Sequence, residues 1–155
     1  MDAAEGSVAI DVLTEIEIDR PRSDVAAYAA DPDNAPAWYD NIKRIEWESP
    51  KSVAVGARMA FVAQFLGRRL VYTYEITELV PGERLVMGTA AGPFPMQTTY
   101  KWEDTDRCGT RMTLRNRGEP AGFSRVSAPL IASAMRRATR KDLRTLKRLL
   151  ESTDR

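Results

Sequence analysis

Seven stretches of this chain alternate apolar with polar residues, and one long stretch at its end repeats apolar residues at spacings of three to five. Alternation with a period of two places one set of side chains on each face of a β-strand, whereas the longer spacing is typical of an amphipathic helix. The pattern predicts a long C-terminal helix that begins beyond residue 122, and it predicts strands near residues 8–18, 42–47, 59–65, 70–76, 85–87, 96–103 and 110–117.

Helix and turn signals separate the predicted strands. Pro21 ends the first strand, and Ser23 is a candidate N-cap for a short helix that stops at Pro32. A second helical piece is expected at residues 35–39. Pro129 either kinks the long helix or lies in its first turn, because proline lacks the amide hydrogen that a helix interior needs.

The order of these elements indicates the fold class. One strand, two short helices, six further strands and a long helix predict an α+β protein with the helix-grip fold, in which a seven-stranded curved antiparallel sheet wraps around the long C-terminal helix. A chain of 155 residues is long enough for one domain with a substantial core. We therefore expect residues 1–155 to form a single domain.

Three groups of residues carry a family resemblance. They are Ile18, Pro21, Val25, Tyr28, Asp31, Pro32 and Trp38 near the start, Tyr74, Glu75, Ile76, Pro81, Gly82 and Arg84 in the middle, and Asp142, Leu143, Leu146, Lys147 and Glu151 at the end. On these residues the chain resembles the START-like, Bet v 1-like (SRPBCC) superfamily, and most closely its bacterial polyketide cyclase/dehydrase and lipid-transport group. The resemblance implies a START-like domain with a cavity between sheet and helix, in a superfamily that includes lipid carriers, hormone receptors and aromatase/cyclases.

The amino-acid composition excludes several kinds of site and partner. The chain has no histidine and one cysteine, Cys108, which excludes an internal disulfide and His-based catalysis and argues against a metal site. A formal net charge of +1 provides no overall field to attract nucleic acid. No apolar run approaches the ~20 residues of a membrane span. We expect a soluble, cytoplasmic protein that uses no cofactor and no metal.

The inward positions of the predicted strands are rich in large side chains. The candidate ligand-binding residues are Trp38, Phe61, Tyr72, Tyr74, Met87, Phe94, Met96, Thr98, Tyr100, Met112, Asn116 and Phe123. A mostly apolar wall with a few polar groups is typical of a small-molecule pocket, although the same stripe also suits a densely packed core.

Three tyrosines and one asparagine among these candidates carry polar groups that need partners. An unpaired buried hydroxyl or amide costs about 1–3 kcal/mol. We therefore expect at least two members of this set to share a polar spot in the cavity: Tyr72, Tyr74, Tyr100 and Asn116.

One carboxylate lies at the edge of the apolar stripe of the long helix. Asp142 falls between Ala138 and Leu146, and the inward strand positions supply no carboxylate or lysine. Asp142 is therefore the nearest candidate for an acid or base in the cavity. The alternative is a solvent-side residue that pairs with a nearby arginine.

Basic residues occupy another side of the same helix. At 100° per residue, one side presents Arg136, Arg137, Arg140, Lys141, Arg144, Lys147 and Arg148. Such a stripe suits anionic lipid headgroups, a phosphate-bearing ligand or an acidic protein, and it is also typical of a solvated helix face. Nucleic acid is a weaker alternative, because no aromatic residues interleave the stripe for stacking.

Opposite charges line the outward faces of the first and last predicted strands. These strands are neighbours in a helix-grip sheet, so we expect cross-strand ion pairs instead of an acidic metal site. The residues are Asp11, Glu15 and Glu17 on the first strand and Arg111, Arg115 and Arg117 on the last.

These patterns favour a binding protein over an enzyme. The leading hypothesis is a protein that binds a hydrophobic or aromatic small molecule, lipid or polyketide-like, for carriage or sequestration. One alternative is a polyketide cyclase/dehydratase-type enzyme, for which no catalytic set carries over by motif. Another is lipid or quinone delivery by docking through the basic helix face, with transient contact to an anionic membrane surface. We expect a monomer or homodimer that does not bind nucleic acid.

Overall fold

The structure, a computed structural model, describes residues 10–65, 67–91, 95–118 and 127–152. It contains seven strands, three α-helices and one short 3-10 helix within these ranges. In chain order these are β1 (Ile10–Ile18), α1 (Arg22–Ala30), the 3-10 helix (Pro32–Asn34), α2 (Ala35–Trp38), β2 (Ile42–Trp47), β3 (Arg58–Phe65), β4 (Arg68–Val80), β5 (Arg84–Ala91), β6 (Met96–Asp104), β7 (Thr110–Gly118) and α3 (Ser127–Ser152).

The seven strands form one antiparallel sheet in the order β1-β7-β6-β5-β4-β3-β2. Strands β2 to β7 are joined to their neighbours in sequence order, and β1 closes the series by pairing with β7. Shifts of register between Ile42 and Arg44 and between Ile76 and Glu78 mark irregularities of the kind that bend a strand. The predicted helix-grip architecture is confirmed, including the two short helices after the first strand and the long C-terminal helix.

The predicted alternation decides which side chains face α3. In β7 the inward positions Thr110, Met112, Leu114 and Asn116 are all buried, while the residues between them are partly exposed. Because neighbouring residues of a strand point to opposite faces, one correct register assignment places the whole set. The outward face of β7 then carries its arginines.

The C-terminal half of α3 anchors the helix to the sheet. Leu143, Leu146 and Leu150 are 1%, 0% and 6% exposed and belong to the main hydrophobic core. The N-terminal half contributes Ile131 to a smaller cluster with Ile10 and Val12. The two clusters lie at different positions along the helix, and the cavity described below lies along the helix between Ile131 and Asp142.

Two expectations about helix starts are decided by the structure. The predicted Ser23 cap is wrong, since α1 begins at Arg22 and its N-cap Pro21 makes no side-chain cap bond. The Pro21 carbonyl instead accepts the first backbone hydrogen bonds of the helix, from Asp24 and Val25. Pro129 lies in the first turn of α3, where a missing amide hydrogen costs nothing.

The expected ion pairs join β1 to β7. Arg115 binds Asp11 through two hydrogen bonds of 2.8 and 2.6 Å, and Arg111 binds Glu17 at 2.9 Å. These side chains are partly exposed, so the pairs secure the strand register more than they stabilise the fold.

Gly109 is required where the β6–β7 turn meets the end of β1. A Cβ at Gly109 would lie 2.7 Å from the Ile18 carbonyl oxygen, which belongs to the sheet backbone. Gly109→Ala is therefore expected to lower the free energy of unfolding by about 1–3 kcal/mol, as overpacking does elsewhere. The measurement is chemical denaturation of the variant and the wild type.

Gly88→Ala in β5 is the matched control. Its added Cβ would lie 3.7 Å from the nearest neighbouring atom outside its chain neighbours, the Met96 carbonyl oxygen, which is an ordinary contact. A loss of stability as large as that of Gly109→Ala would contradict the steric explanation.

Candidate ligand-binding site

A cavity of about 220 Å³ lies between the sheet and α3. This is far more than the ~10–15 Å³ needed to hold one water molecule. The cavity is lined mostly by apolar side chains of the strands and of the N-terminal half of α3. The lining residues are Tyr39, Asn41, Ile42, Phe61, Ala63, Arg68, Leu70, Tyr72, Tyr74, Met87, Met96, Thr98, Tyr100, Asn116, Ile131, Met135, Ala138, Thr139 and Asp142.

Most of the predicted ligand-binding residues that the structure describes line this cavity. They are Phe61, Tyr72, Tyr74, Met87, Met96, Thr98, Tyr100 and Asn116. Their alternation along β3 to β7 brings them to the same face of the sheet. That they contact a ligand stays a prediction. Phe94 and Phe123 lie outside the described residues.

Trp38 and Met112 do not line the cavity, contrary to the geometric expectation. Trp38 is 1% exposed at the end of α2, with its ring 4.2 Å from the Tyr39 ring and 5.9 Å from the Tyr100 ring. Met112 is fully buried in the main core. Alternation assigns Met112 to the inward face of β7 but does not locate the point along the strand where the cavity gives way to packed core; Trp38 lies in α2, where strand alternation does not apply.

The cavity also includes residues that the sequence reasoning did not assign to a site. Tyr39 and Asn41 come from the connection between α2 and β2, where no periodicity marks a direction, and Ile42 is the first residue of β2. The helix contributes Ile131, Met135, Ala138 and Thr139, whose spacing in the sequence indicates an apolar helix face but no cavity. The sequence signal for a cavity here is the pair of small residues Ala138 and Thr139, which fill less space between helix and sheet than two leucines would.

One polar cluster joins α2 to β6. The Tyr39 and Tyr100 hydroxyl oxygens are 2.5 Å apart. Burial raises the pKa of both phenols, so both are protonated at neutral pH. One hydroxyl donates to the other, and the accepting tyrosine keeps its own O–H for a further partner. The pair can therefore donate one hydrogen bond to a ligand oxygen.

A second polar cluster joins β4, β6 and β7. The Thr98 hydroxyl donates to the Asn116 side-chain oxygen at 2.7 Å. Burial raises the pKa of Tyr74 to about 12, and the nearby Thr98 hydroxyl opposes that rise. Within the described parts of the chain, the Asn116 amide nitrogen has no hydrogen-bond acceptor. Its donor capacity is open to a ligand in the cavity.

Asp142 faces the cavity, so its solvent-side interpretation is wrong. It is 2% exposed and accepts a hydrogen bond of 3.0 Å from the Asp40 backbone nitrogen. Burial raises the pKa of Asp142 to about 6; the charge of Asp40 adds to this rise, while the Asp40 hydrogen bond and Lys141 oppose it. Among the described lining residues, Asp142 is thus the one carboxyl group, and its pKa of about 6 lies close to neutral pH.

Arg68, unlike the buried Asp142, is an exposed residue of the cavity wall. It lies at the start of β4, directly after the turn at Gly67. Its neighbour in the lining, Leu70, is half-buried, whereas Thr98 and Tyr100 are buried. The cavity therefore reaches solvent near the β3–β4 hairpin and is closed near β6.

The described residues lack a metal-binding cluster and a membrane-spanning helix. They contain no group of three or more His, Cys, Asp or Glu side chains that could hold a metal ion. They also contain no helix long and apolar enough to cross a membrane.

The helix-grip fold, with a cavity between sheet and helix, places the chain in the START-like class of domains. Over residues 9–151 the chain matches the family described as polyketide cyclase / dehydrase and lipid transport, and it belongs to that family. No curated protein matches the chain significantly in sequence.

Solved structures share the fold at low sequence identity. A protein from Thermus thermophilus has a TM-score of 0.80 at 20% identity, with 93% of this chain and 99% of that chain covered. A START superfamily protein from Mycobacterium smegmatis has a TM-score of 0.79 at 10% identity, covering 94% and 99%. An aromatase/cyclase from Streptomyces sp. R1128 has a TM-score of 0.78 at 12% identity, covering 93% and 94%. These likenesses confirm the predicted START-like fold.

The raised pKa of Asp142 predicts how stability depends on pH. The folded state holds this proton more tightly than the unfolded state, so stability falls as pH rises from about 4 to about 6. Asp142→Asn can still accept the Asp40 hydrogen bond but carries no charge. The variant is expected to be more stable than wild type above pH ~6 by about 1–3 kcal/mol, measured by urea denaturation across pH.

Asp106→Asn is the matched control for this experiment. Asp106 is exposed in the β6–β7 turn, so its substitution should leave the pH dependence of stability unchanged. If Asp142→Asn and Asp106→Asn give the same pH dependence, burial of the Asp142 charge has no effect on folding.

Proposed function

We propose that the protein binds a hydrophobic or aromatic small molecule, lipid or polyketide-like, for carriage or sequestration. The observation that carries the proposal is the cavity between sheet and α3, with its apolar wall and its few polar groups. The family, described as polyketide cyclase / dehydrase and lipid transport, supports the same class of ligand.

Affinity in such a site comes mainly from the apolar wall. Removing apolar surface from water contributes about 25 cal/mol per Å². Phe61, Met87, Met96 and Met135 supply large and adaptable surfaces for this contact. A flat aromatic ring or an alkyl chain would therefore be held without a specific polar contact.

Orientation comes from the two polar clusters. A ligand oxygen near the Tyr39–Tyr100 pair, or near the Asn116 amide, would accept a hydrogen bond in a place shielded from water. A buried donor without a partner costs about 1–3 kcal/mol, so a ligand that lacks the oxygen should bind more weakly. At the open end, Arg68 would meet any acidic group of the ligand.

Filling the cavity tests this proposal. Ala138 lines the cavity from α3, so Ala138→Phe would place a ring where the ligand is proposed to bind. We expect binding of a hydroxylated anthraquinone or a long-chain fatty acid to weaken by about tenfold or more, equivalent to ~1.4 kcal/mol. Ligand titration followed by tryptophan fluorescence or calorimetry measures the effect.

Ala134→Phe is the control variant. Ala134 lies one turn earlier, is partly exposed and is not among the residues that line the cavity. It should bind the same ligands as tightly as wild type. Equal loss in both variants, or no binding of any apolar ligand by wild type, would contradict a cavity-binding function.

A second candidate function is an enzyme of the cyclase/dehydratase type. The observation that favours it is Asp142, a buried carboxyl group with a pKa of about 6 in the same cavity as the Tyr39–Tyr100 pair. A carboxylate of this kind can remove a proton from a carbon between two carbonyls, and a phenol can donate to the oxygen on which charge develops. The aromatase/cyclase among the similar structures shares the fold.

The enzyme hypothesis makes its own prediction. Turnover of a poly-β-ketone thioester should rise with pH through about 6, as Asp142 becomes the charged base. Asp142→Asn should lower the rate by about 10²-fold or more while ligand binding is retained. A wild-type protein that binds the substrate without accelerating its cyclisation would support carriage alone.

A further inference from the structure

One face of α3 carries the strongest local positive charge in the described chain. The helix has seven basic residues and two acidic ones, a local charge of +5, against +1 for the whole chain. Five of the basic side chains are exposed and form what we call the cationic face: Arg137, Arg140, Lys141, Arg144 and Arg148.

The protein neutralises little of this charge itself. Of the two acidic residues, Asp142 is buried in the cavity and Glu151 binds Lys147 at 2.8 Å. Within the described ranges, Lys141 has the carboxylate of Asp40 at 3.5 Å, and the four arginines of the cationic face make no ion pair. Arginines four residues apart on a helix repel one another, so an external anion would relieve this repulsion.

An exposed apolar side chain lies on the same side of the helix. Leu130 is 72% exposed, and Arg137 and Arg144 follow it at intervals of seven residues, close to two helical turns. The next residue, Ile131, lines the cavity. A cluster of basic side chains attracts anionic lipid headgroups, and an exposed leucine beside it can contact the headgroup region.

We propose that the cationic face docks on a membrane that carries anionic lipids, with Leu130 entering the headgroup region. The charges extend over three turns on long, flexible side chains, and α3 contains no aromatic residue for stacking on bases. Mobile anionic headgroups can rearrange to meet each guanidinium, which a folded acidic partner cannot. In this orientation Ile131, which packs on Ile10 and Val12 of β1, stays on the sheet side of the helix.

This inference goes beyond the proposed function and does not depend on it. A protein whose cavity is blocked should still dock, because the cationic face and the cavity wall are different sides of α3. Ala138→Phe therefore separates the two ideas. It should bind vesicles like wild type even where it no longer binds an apolar ligand.

The test is flotation of the full chain with phosphatidylcholine vesicles that contain either no anionic lipid or about 30% phosphatidylserine. We expect binding only to the anionic vesicles, strong at about 50 mM salt and weak at about 300 mM, because salt screens the attraction. Arg140→Ser with Arg144→Ser should lower the partition coefficient by about 25-fold, roughly fivefold for each charge.

The matched control removes the same charge elsewhere. Arg69 and Arg107 are exposed in β4 and in the β6–β7 turn, and Arg69→Ser with Arg107→Ser should change the partition coefficient by less than about twofold. Circular dichroism and thermal melting verify that every variant is folded.

Three results would overturn the proposal. They are equal losses in the two double variants, wild-type binding that does not require phosphatidylserine, and tighter binding to a nucleic-acid oligonucleotide than to anionic vesicles at the same salt. Leu130→Ser should weaken docking at both salt concentrations, since apolar insertion is not screened. If the Leu130→Ser variant binds vesicles as tightly as wild type, Leu130 is not part of the docking face.

Discussion

The packing of the C-terminal half of α3 against the sheet is the contact on which the rest of the structure depends. Leu143 and Leu146 are almost fully buried there, together with Met112 and Leu114 of β7. The N-terminal half contacts β1 through Ile131, and the cavity lies along the helix between that contact and the leucines of the C-terminal half. The cavity lies along the part of α3 that presents the small side chain of Ala138 to the sheet.

Part of this could be predicted from sequence because it depends on local periodicity. Alternation located the strands, their inward faces and lining residues such as Tyr74 and Asn116. The cavity boundary depends on how far α3 lies from each point of the sheet, a long-range distance that leaves no local signal, so the sequence does not separate Met112, in the packed core, from lining residues such as Tyr100. Asp142 was noticed at the edge of the stripe, but its burial depends on the backbone at Asp40, about a hundred residues earlier in the chain.

Asp142 shows how the site and stability oppose one another. A charged carboxylate with a single backbone hydrogen bond in an apolar wall weakens the folded state at neutral pH. A neutral residue at position 142 would make the folded state more stable at neutral pH. Stability is commonly sacrificed at functional positions, and the position of Asp142 beside the Tyr39–Tyr100 pair is consistent with that pattern.

The pairing of β1 with β7 has a consequence for the kinetics of folding. Strands β2 to β7 form a series of hairpins whose partners are close in sequence, whereas Glu17 pairs with Arg111 across most of the chain. Closing such a long loop is slow because its entropy is lost before the contacts form. Of the seven described strands β1 is synthesised first and its partner β7 last, so the apolar face of β1 has no sheet partner until β7 and α3 have emerged.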